Sequence, residues 1–303
     1  MAKVIVLGAK GRFGKGAVSA FAAAGWQVTA FARHWDNPTT GPVKTAEGNA
    51  MDPATLVAAC QGFDVIVNAL NPLYENWARD LMPMTQAVIT AARDSGATVI
   101  IPGNVYNYGA DGPDVWSETT PWRPTTRKGR LRVQMETAYR TAGVRTIVLR
   151  GGDFITGGET TNWFEAHIAK GSRKGRTMYP GPKDRKHAWA YLPDMTRAAV
   201  LLAEQRDRFA AFEEFGFGGY TLTGAELVEE IAQATGQAQK LSGLPWPLLR
   251  FLGLFSAGMR ELIEMRYLWN VPHRMDGSKL ARTLPGFRQT PLAQALKQAL
   301  AVP

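Results

Sequence analysis

The chain has 303 residues, of which 45% are hydrophobic, so it can bury the core of one large domain or of a domain with a smaller lobe. Its net charge is +9, but the basic residues fall in separate clusters and no helix-turn-helix, zinc or RNA-binding motif accompanies them. Nucleic acid is therefore not an expected partner. A single cysteine, Cys60, excludes an intramolecular disulfide and fits a reducing, cytoplasmic compartment.

The sequence also predicts neither a metal site nor a membrane span. The four histidines are scattered without the spacing of metal ligands. The longest apolar run, residues 244–259, contains Arg250, two prolines and two glycines and is too short to cross a bilayer. The N-terminus leads directly into the first predicted strand, so no signal peptide is expected. We expect a small-molecule substrate and a monomer or homodimer.

The first predicted strand leads into a glycine-rich turn. Residues 4–7 are apolar and rich in β-branched side chains, which is typical of a buried parallel strand. Three glycines follow at the spacing G-x-x-G-x-x-G, before a helix expected from near Gly16 to Ala24. Glycine lets the backbone approach a pyrophosphate, and a helix N-terminus favours an anion, so the pattern predicts a dinucleotide site. The turn residues assigned to the cofactor are Gly8, Lys10, Gly11, Arg12, Phe13 and Gly14.

The end of the second predicted strand, residues 26–32, bears on the choice of cofactor. Arg33 and His34 follow it, and no acidic residue occurs before Asp36. An acid at this position would bind the ribose 2′-hydroxyl of NAD, whereas an arginine suits the 2′-phosphate of NADP. Lys10 and Arg12 add two cations from the glycine turn. We therefore expect NADP rather than NAD.

Strands and helices continue to alternate through residue 150. Asp52 is the expected N-cap of the predicted helix that ends near Cys60. This order predicts a parallel sheet with helices on both faces. The predicted helices span residues 53–60, 82–95 and 132–141, and the predicted strands span residues 63–69, 98–101 and 145–150.

Beyond residue 150 the alternation loosens. Helices are predicted around residues 163–167, from Tyr191 to Glu204, and from a cap at Thr223 to Thr235, followed by further helices rich in aromatic residues. We expect an α/β fold, a doubly wound parallel sheet with a smaller, mainly helical C-terminal substrate lobe. The sheet domain would comprise residues 1–155 with 185–220 returning to it, and the lobe would comprise residues 156–184 and 221–303.

Six segments in order resemble the extended or atypical branch of the short-chain dehydrogenase/reductase superfamily, which is NAD-dependent epimerase/dehydratase-like. They are the glycine turn and residues 48–52, 68–71, 105–109, 150–154 and 190–194. The resemblance covers essentially the whole chain and implies a Rossmann domain that binds NAD(P). It further implies that Asp52 lies near the adenine. It also assigns two further segments to the cofactor site. One is formed by Ala69, Leu70 and Asn71 on the nicotinamide side, and the other by Gly152, Asp153 and Phe154.

The chain departs from this family at the catalytic residues. Family dehydrogenases use a Tyr-x-x-x-Lys pair with an upstream Ser or Thr, and the tyrosine moves a proton as hydride moves. Here the corresponding positions hold Lys128 and Arg132, and Asn104 stands in place of the serine. Tyr108, at the mouth of the sheet, is a further candidate proton donor. The usual machinery for proton transfer is therefore absent or rebuilt.

Three interpretations of Lys128 and Arg132 remain open: a substituted active site, a phosphate clamp on the cofactor, or solvated charges at the start of a helix. Asn104 either orients a substrate carbonyl or satisfies the strand-end backbone, and Tyr108 either donates a proton or forms pocket wall. The sequence favours an NADP(H)-dependent oxidoreductase or epimerase/dehydratase-like enzyme acting on a small carbonyl or carbinol compound. The alternative is a non-catalytic, NADP(H)-binding regulator that senses redox state.

Overall fold

The structure is a computed structural model and describes residues 1–36, 42–157 and 162–301. The strands are β1 (Lys3–Leu7), β2 (Gln27–Ala32), β3 (Val43–Glu47), β4 (Val65–Asn68), β5 (Thr98–Gly103), β6 (Val115–Trp116), β7 (Thr146–Arg150), β8 (Asp153–Ile155), β9 (Arg176–Tyr179), β10 (Lys186–Tyr191), β11 (Phe212–Gly216), β12 (Tyr220–Thr223), β13 (Lys240–Gly243) and β14 (Arg274–Met275). The helices are α1 (Arg12–Ala23), α2 (Pro53–Cys60), α3 (Trp77–Ser95), α4 (Arg127–Ala142), α5 (Leu192–Glu204), α6 (Gly224–Thr235), α7 (Trp246–Gly253), α8 (Ala257–Glu264), α9 (Tyr267–Asn270), α10 (Ser278–Thr283) and α11 (Leu292–Ala301).

The described chain divides into two compact units. The first comprises Met1–Gly103, Arg127–Arg150 and Met195–Phe215. Its sheet has seven strands in the order β11-β7-β5-β4-β1-β2-β3, and the pairs from β7 to β3 are all parallel. The order reverses direction between β1 and β4, which confirms the predicted doubly wound sheet. Its central strands form because their apolar, β-branched residues can be buried on both faces.

The second unit comprises Asn104–Thr126, Gly151–Asp194 and Gly216–Pro303. It holds most of the later helices and three small sheets. In one sheet β10 pairs in parallel with β8 and antiparallel with β12, and the other two sheets are the parallel pairs β9–β13 and β6–β14. Because β8 and β10 pair here, residues 151–155 and 185–194 lie in this unit.

Several helix boundaries differ from the sequence-based expectation. α1 begins at Arg12, four residues before Gly16, and α4 begins at Arg127. α3 begins at Trp77, which is buried and donates from Nε1 to the carbonyl oxygen of Pro72 at 3.0 Å, and the helix continues through Pro83. Tertiary packing thus overrides the helix-breaking tendency of proline. The cap at Thr223 is confirmed and forms a capping box with Glu226.

A buried network of charges links three elements of the first unit. Arg150 on β7 has no exposed surface, and its guanidinium donates to Glu136 of α4 (Nη2 to Oε2, 2.6 Å) and to Glu214 of β11 (Nε to Oε1, 2.7 Å). Arg132 lies 3.7 Å from the other oxygen of Glu136. Charge-assisted bonds of this geometry offset the cost of burying the ions. The network therefore holds α4 and β11 against β7.

We expect Glu136→Gln to destabilise the protein by about 3–5 kcal/mol, because it leaves the buried Arg150 with only one carboxylate. Urea unfolding of this variant and of Asp207→Asn measures the effect. Asp207 forms an exposed ion pair with Arg145 at 3.7 Å and serves as the control, with an expected loss below about 1 kcal/mol. Equal losses in the two variants would show that the buried network contributes little.

Candidate functional site

The glycine turn lies at the end of β1, and two of its glycines are required by the protein itself. Gly8 has φ +76, and a Cβ there would lie 2.7 Å from the carbonyl oxygen of Ala69. A Cβ on Gly14 would collide with the carbonyl oxygen of Gly8. Both positions thus exclude a side chain for reasons internal to the fold, namely a left-handed backbone and the close approach of helix to strand.

Gly11 is different. Its φ of −74 suits any residue, and a Cβ there would have one close neighbour, the carbonyl oxygen of Gly8 at 3.1 Å. That contact is tight, but it is looser than the contacts that a Cβ would make at Gly8 and Gly14, so packing constrains Gly11 the least of the three. A further reason for a glycine here would be space outside the protein, where the backbone would meet a pyrophosphate.

The start of α1 suits an anion. Gly11 is the N-cap, and among the described residues no side chain caps the helix and no acid lies in its first turn. The N–H groups of a first helical turn lack intrahelical acceptors, and the helix dipole is positive at this end. The turn therefore fits the pyrophosphate of a dinucleotide.

The loop after β4 is fixed beside the glycine turn. The N–H of Ala69 donates to the carbonyl oxygen of Leu7 at 3.0 Å, and that of Leu70 donates to Oδ1 of Asn68 at 3.2 Å. Asn68 in turn donates from Nδ2 to the hydroxyl of Tyr139 on α4 at 2.9 Å. Burial raises the pKa of Tyr139, so its phenol is neutral. The loop therefore borders Gly8 where the strand order reverses, which is where such sheets bind ligands.

The cations at the end of β2 are only partly available to a ligand. Arg33 is exposed and has no ion pair among the residues described by the structure. Lys10, by contrast, lies 3.2 Å from Asp36, and this contact holds the pKa of Asp36 below its usual value. His34 lies 3.6 Å from Asp36 and 3.2 Å from Glu47. The sequence predicts three cations, Lys10, Arg12 and Arg33, at this end of the site. The structure corrects this expectation, because Asp36, which is distant from Lys10 in the sequence, offsets the charge of Lys10.

Lys128 and Arg132 are buried in the first unit, with 0% and 5% of their surface exposed. The ammonium of Lys128 lies 5.2 Å from the ring centroid of Tyr74, and Arg132 donates from Nη2 to the carbonyl oxygen of Pro102 at 3.0 Å. The guanidinium of Arg132 also lies 6.0 Å from the ring centroid of Trp77. The interpretation as solvated charges at a helix start is therefore wrong, because α4 packs this face inside the unit.

Asn104 and Tyr108 lie in the second unit. Oδ1 of Asn104 accepts from the N–H of Tyr106 at 3.1 Å, so this amide orders the backbone after the strand. The hydroxyl of Tyr108 donates to the carbonyl oxygen of Ser117 at 3.1 Å, and its ring stacks on Trp116 at 5.1 Å. Both side chains thus have structural partners.

The segment Gly152–Phe154 also lies in the second unit, where it builds β8. A Cβ on Gly152 would collide with the carbonyl oxygen of Ala188 on β10. Oδ2 of Asp153 lies 2.7 Å from Nε2 of the buried His187, whose ring stacks on Trp269 at 4.2 Å. Sequence reasoning missed this carboxylate–imidazole pair, because 34 residues separate its members and no local spacing marks it.

Asp52 caps α2, as expected. Its carboxylate accepts from the N–H of Ala54 at 3.1 Å and from the hydroxyl of Thr55 at 2.5 Å, and the latter bond lowers the pKa of Asp52. Over residues 1–36, 42–157 and 162–301, no three His, Cys, Asp or Glu side chains are grouped so that they could hold a metal ion. Within the same ranges, every helix is too short or too polar to cross a membrane.

Comparison with known proteins settles the family. A family model described as NAD(P)H-binding matches residues 8–178, more than half of the chain. The chain belongs to this NAD(P)H-binding family. The region matched by the family model begins at Gly8, the first glycine of the turn. A separate comparison with curated protein sequences finds no match.

Solved structures share the fold of this family member over nearly its whole length. MoeE5 in complex with UDP-glucose and NAD has 20% identity and a TM-score of 0.77, covering 99% of this chain and 98% of its own. A GalE-like L-threonine dehydrogenase from Cupriavidus necator has 19% identity and a TM-score of 0.78, covering 99% of each chain. UDP-glucose 4-epimerase from Brucella ovis in complex with NAD has 17% identity and a TM-score of 0.76, covering 99% and 98%. These likenesses confirm the epimerase/dehydrogenase-like fold.

The two kinds of glycine in the turn should respond differently to substitution. Gly14→Ala should cost about 1–3 kcal/mol of stability, because its Cβ overlaps the backbone of Gly8. Gly11→Val should lower the melting temperature less than Gly14→Ala does but abolish binding of the dinucleotide. Thermal unfolding and calorimetric titration with NADP and NAD measure both effects. Gly243→Ala, where a Cβ meets open space, is the control. A Gly11→Val variant that binds at wild-type affinity would show that the turn is only structural.

Proposed function

We propose that the chain is an NADP(H)-dependent oxidoreductase or epimerase/dehydratase-like enzyme acting on a small carbonyl or carbinol compound in the cytoplasm. The observation that carries the proposal is Gly11, which packing constrains less than Gly8 and Gly14, at the uncapped N-terminus of α1. A bound nicotinamide dinucleotide would supply or accept a hydride. The chain's own residues would bind it, orient it and manage protons.

The proposed cofactor site follows the carboxyl ends of β1, β2 and β4. Gly8, Gly11 and the first turn of α1 would hold the pyrophosphate, with Arg12 and Phe13 in that turn. Arg33 and His34 would face the adenosine ribose, and Asp52 would lie near the adenine. The loop from Ala69 to Asn71 would contact the nicotinamide side, since it is fixed beside Gly8 by the bonds that its N–H groups donate to Leu7 and Asn68.

The proposed preference for NADP rests on Arg33. Its side chain is exposed directly after β2, whereas an acid would be expected there in an NAD-binding site. Asp36 lies three residues beyond Arg33, and its carboxylate is 3.2 Å from Lys10. The similar MoeE5 and Brucella ovis epimerase structures contain NAD, so the choice of cofactor is the first point to test.

Arg33→Ala should weaken NADP binding by about one to two orders of magnitude and spare NAD, because a charge-assisted bond to phosphate contributes roughly 1.5–3 kcal/mol. Isothermal titration with both cofactors measures the two affinities. Arg208→Ala removes an exposed arginine outside the proposed site and should change neither. Equal losses of NADP and NAD affinity in Arg33→Ala would refute a role in cofactor choice.

We further propose that Lys128 moves the proton and that Arg132 positions the cofactor end of the site. Arg132 stays charged, and its guanidinium is held by Pro102 and Glu136, so it can orient a neighbouring group but cannot exchange a proton. Lys128 is the other buried cation of this helix face, and its ammonium has protons to donate. This assignment replaces the tyrosine and lysine of the related dehydrogenases.

Lys128→Met keeps the bulk of the side chain and removes the exchangeable proton. Turnover should fall by about 10²-fold or more, with little change in cofactor affinity. The measurement is kcat together with the cofactor dissociation constant on the same preparation. A variant that loses mainly cofactor affinity would make Lys128 a clamp, and a variant that changes neither quantity would remove it from the site.

A second candidate function is a cofactor-binding regulator that senses redox state without catalysis. The observation that favours it is the bond from the hydroxyl of Tyr108, a predicted proton donor, to the carbonyl oxygen of Ser117, which gives this side chain a structural role. NADPH consumption against aldehydes, ketones and nucleotide sugars separates the candidates. Turnover of any of them supports the enzyme, whereas sub-micromolar binding without turnover supports the regulator.

A further inference from the structure

An ion pair joins the glycine turn to the loop after β2. Nζ of Lys10, in the turn, lies 3.2 Å from Oδ2 of Asp36, although 26 residues separate the two in the sequence. The turn is where the proposed site would hold the pyrophosphate, and the end of β2 is where it would face the adenosine ribose. The pair therefore lies at the ribose end of the proposed cofactor site.

The loop that carries Asp36 is held in place by β3. The N–H of Trp35 donates to Oε1 of Glu47 at 2.6 Å, and its Nε1 donates to the carbonyl oxygen of Ala46 at 3.2 Å. The ammonium of Lys10 lies 5.3 Å from the ring centroid of Trp35, a distance at which the face of the ring attracts a cation. Asp36 thus follows an anchored residue, and Lys10 has both a carboxylate and an aromatic ring as partners on the loop.

The two other acids near this end of the site have partners of their own. The loop N–H that Glu47 accepts holds the pKa of its carboxyl below the usual value, and Glu47 also lies 3.2 Å from Nδ1 of His34. Lys10 contributes least among the groups that lower the pKa of Glu47. Asp52 caps α2 and accepts from that helix. Asp36 is therefore the acid that offsets a cation of the glycine turn by direct contact.

NADP differs from NAD by a phosphate on the adenosine ribose, and the ion pair bears on that difference. An ammonium binds a phosphate as a point charge, whereas the uncharged 2′-hydroxyl of NAD gains much less from it. The cations of the glycine turn, the first turn of α1 and the loop after β2 are Lys10, Arg12, Lys15 and Arg33. A 2′-phosphate at this end of the site would thus meet a lysine that is already paired with a carboxylate.

The ion pair can be exchanged at little cost. The side chains of Lys10 and Asp36 are 45% and 79% exposed, and an ion pair with this exposure contributes little to stability. Once Lys10 leaves, its ammonium can pair with a phosphate, but Asp36 stays close and repels that phosphate as a like charge. Asp36 therefore opposes NADP in two ways, because it must first release Lys10 and because it carries the same sign of charge as the phosphate.

We propose that Asp36 limits the preference for NADP by holding Lys10. With NAD bound, the ion pair stays closed, whereas with NADP bound Lys10 leaves Asp36 and pairs with the 2′-phosphate. Arg33 and Asp36 therefore act in opposite directions on the choice of cofactor, and the chain binds both dinucleotides. This role rests on the proposed function, because it requires a dinucleotide in the site.

Calorimetric titration of Asp36→Asn with NADP and with NAD tests the proposal. We expect the affinity for NADP to rise by about three- to tenfold, because the substitution frees Lys10 and removes the repulsion, and the affinity for NAD to change by less than about twofold. The gain should shrink at high salt. Asp207→Asn is the matched control and should change neither affinity, since its side chain is 80% exposed and pairs with Arg145 at 3.7 Å outside the proposed site.

Lys10→Gln and the double variant Lys10→Gln/Asp36→Asn test whether Asp36 acts through Lys10. Lys10→Gln should weaken the binding of NADP and spare that of NAD. In the Lys10→Gln background, Asp36→Asn should produce only a small part of its gain in NADP affinity, as residues coupled in a double-mutant cycle do. Circular dichroism of each variant checks that it is folded.

The results that would overturn the proposal differ from one another. Weaker binding of NAD by Asp36→Asn, without a gain for NADP, would make Asp36 a ligand of the ribose hydroxyl. A full gain in the Lys10→Gln background, or an equal gain in Asp207→Asn, would show that Asp36 does not act by holding Lys10. An unchanged ratio of the two affinities in Asp36→Asn would overturn this inference alone, whereas a wild-type chain that binds neither dinucleotide would overturn the proposed function as well.

Discussion

The close approach of two backbone segments, at Gly8 and Ala69, governs the rest of the first unit. The left-handed backbone of Gly8 turns the chain out of β1, and the absence of a Cβ lets the carbonyl group of Ala69 lie against it. Gly14 then packs on Gly8, which fixes where α1 begins and how close it lies to the sheet. Because Gly8 and Gly14 hold these segments close together, the first turn of α1 and the loop after β4 lie next to each other at the end of β1. The proposed cofactor site is a consequence of this arrangement.

Local patterns were sufficient to predict the sheet and the glycine turn. The strands around β1 are short apolar runs between turns, and alternation with helices leaves a parallel sheet as the natural arrangement. Thr223 and Asp52 were recognisable as caps, because the capping residue and the N–H it accepts from are neighbours in sequence. The start of α3 was not recognisable, since it depends on the burial of Trp77, and Pro83 argues locally against a helix there.

The interactions that the sequence could not reveal join residues far apart. The sequence of α4 suggests a solvated helix, yet Arg132 and Glu136 are buried. Their burial is possible because Arg150 and Glu214, on other elements, join them in one network of ion pairs. Sixty-four residues separate Arg150 from Glu214, so nothing in local composition distinguishes such a helix from a surface helix. The same holds for Asp36 beside Lys10, which changes the electrostatics proposed for the ribose end of the site.

The division of the chain into units has a consequence for its synthesis. The chain passes from one unit to the other five times, after Gly103, Thr126, Arg150, Asp194 and Phe215. Neither unit is therefore a contiguous fragment that could be expressed alone. Strands β1 to β7 have all been made by residue 150, but β11, which brings Glu214 to Arg150, emerges only after residues 151–211 have been made. The sheet is thus completed late, through contacts of high sequence separation that form slowly, and until then β7 is left as an unprotected edge in a nascent chain.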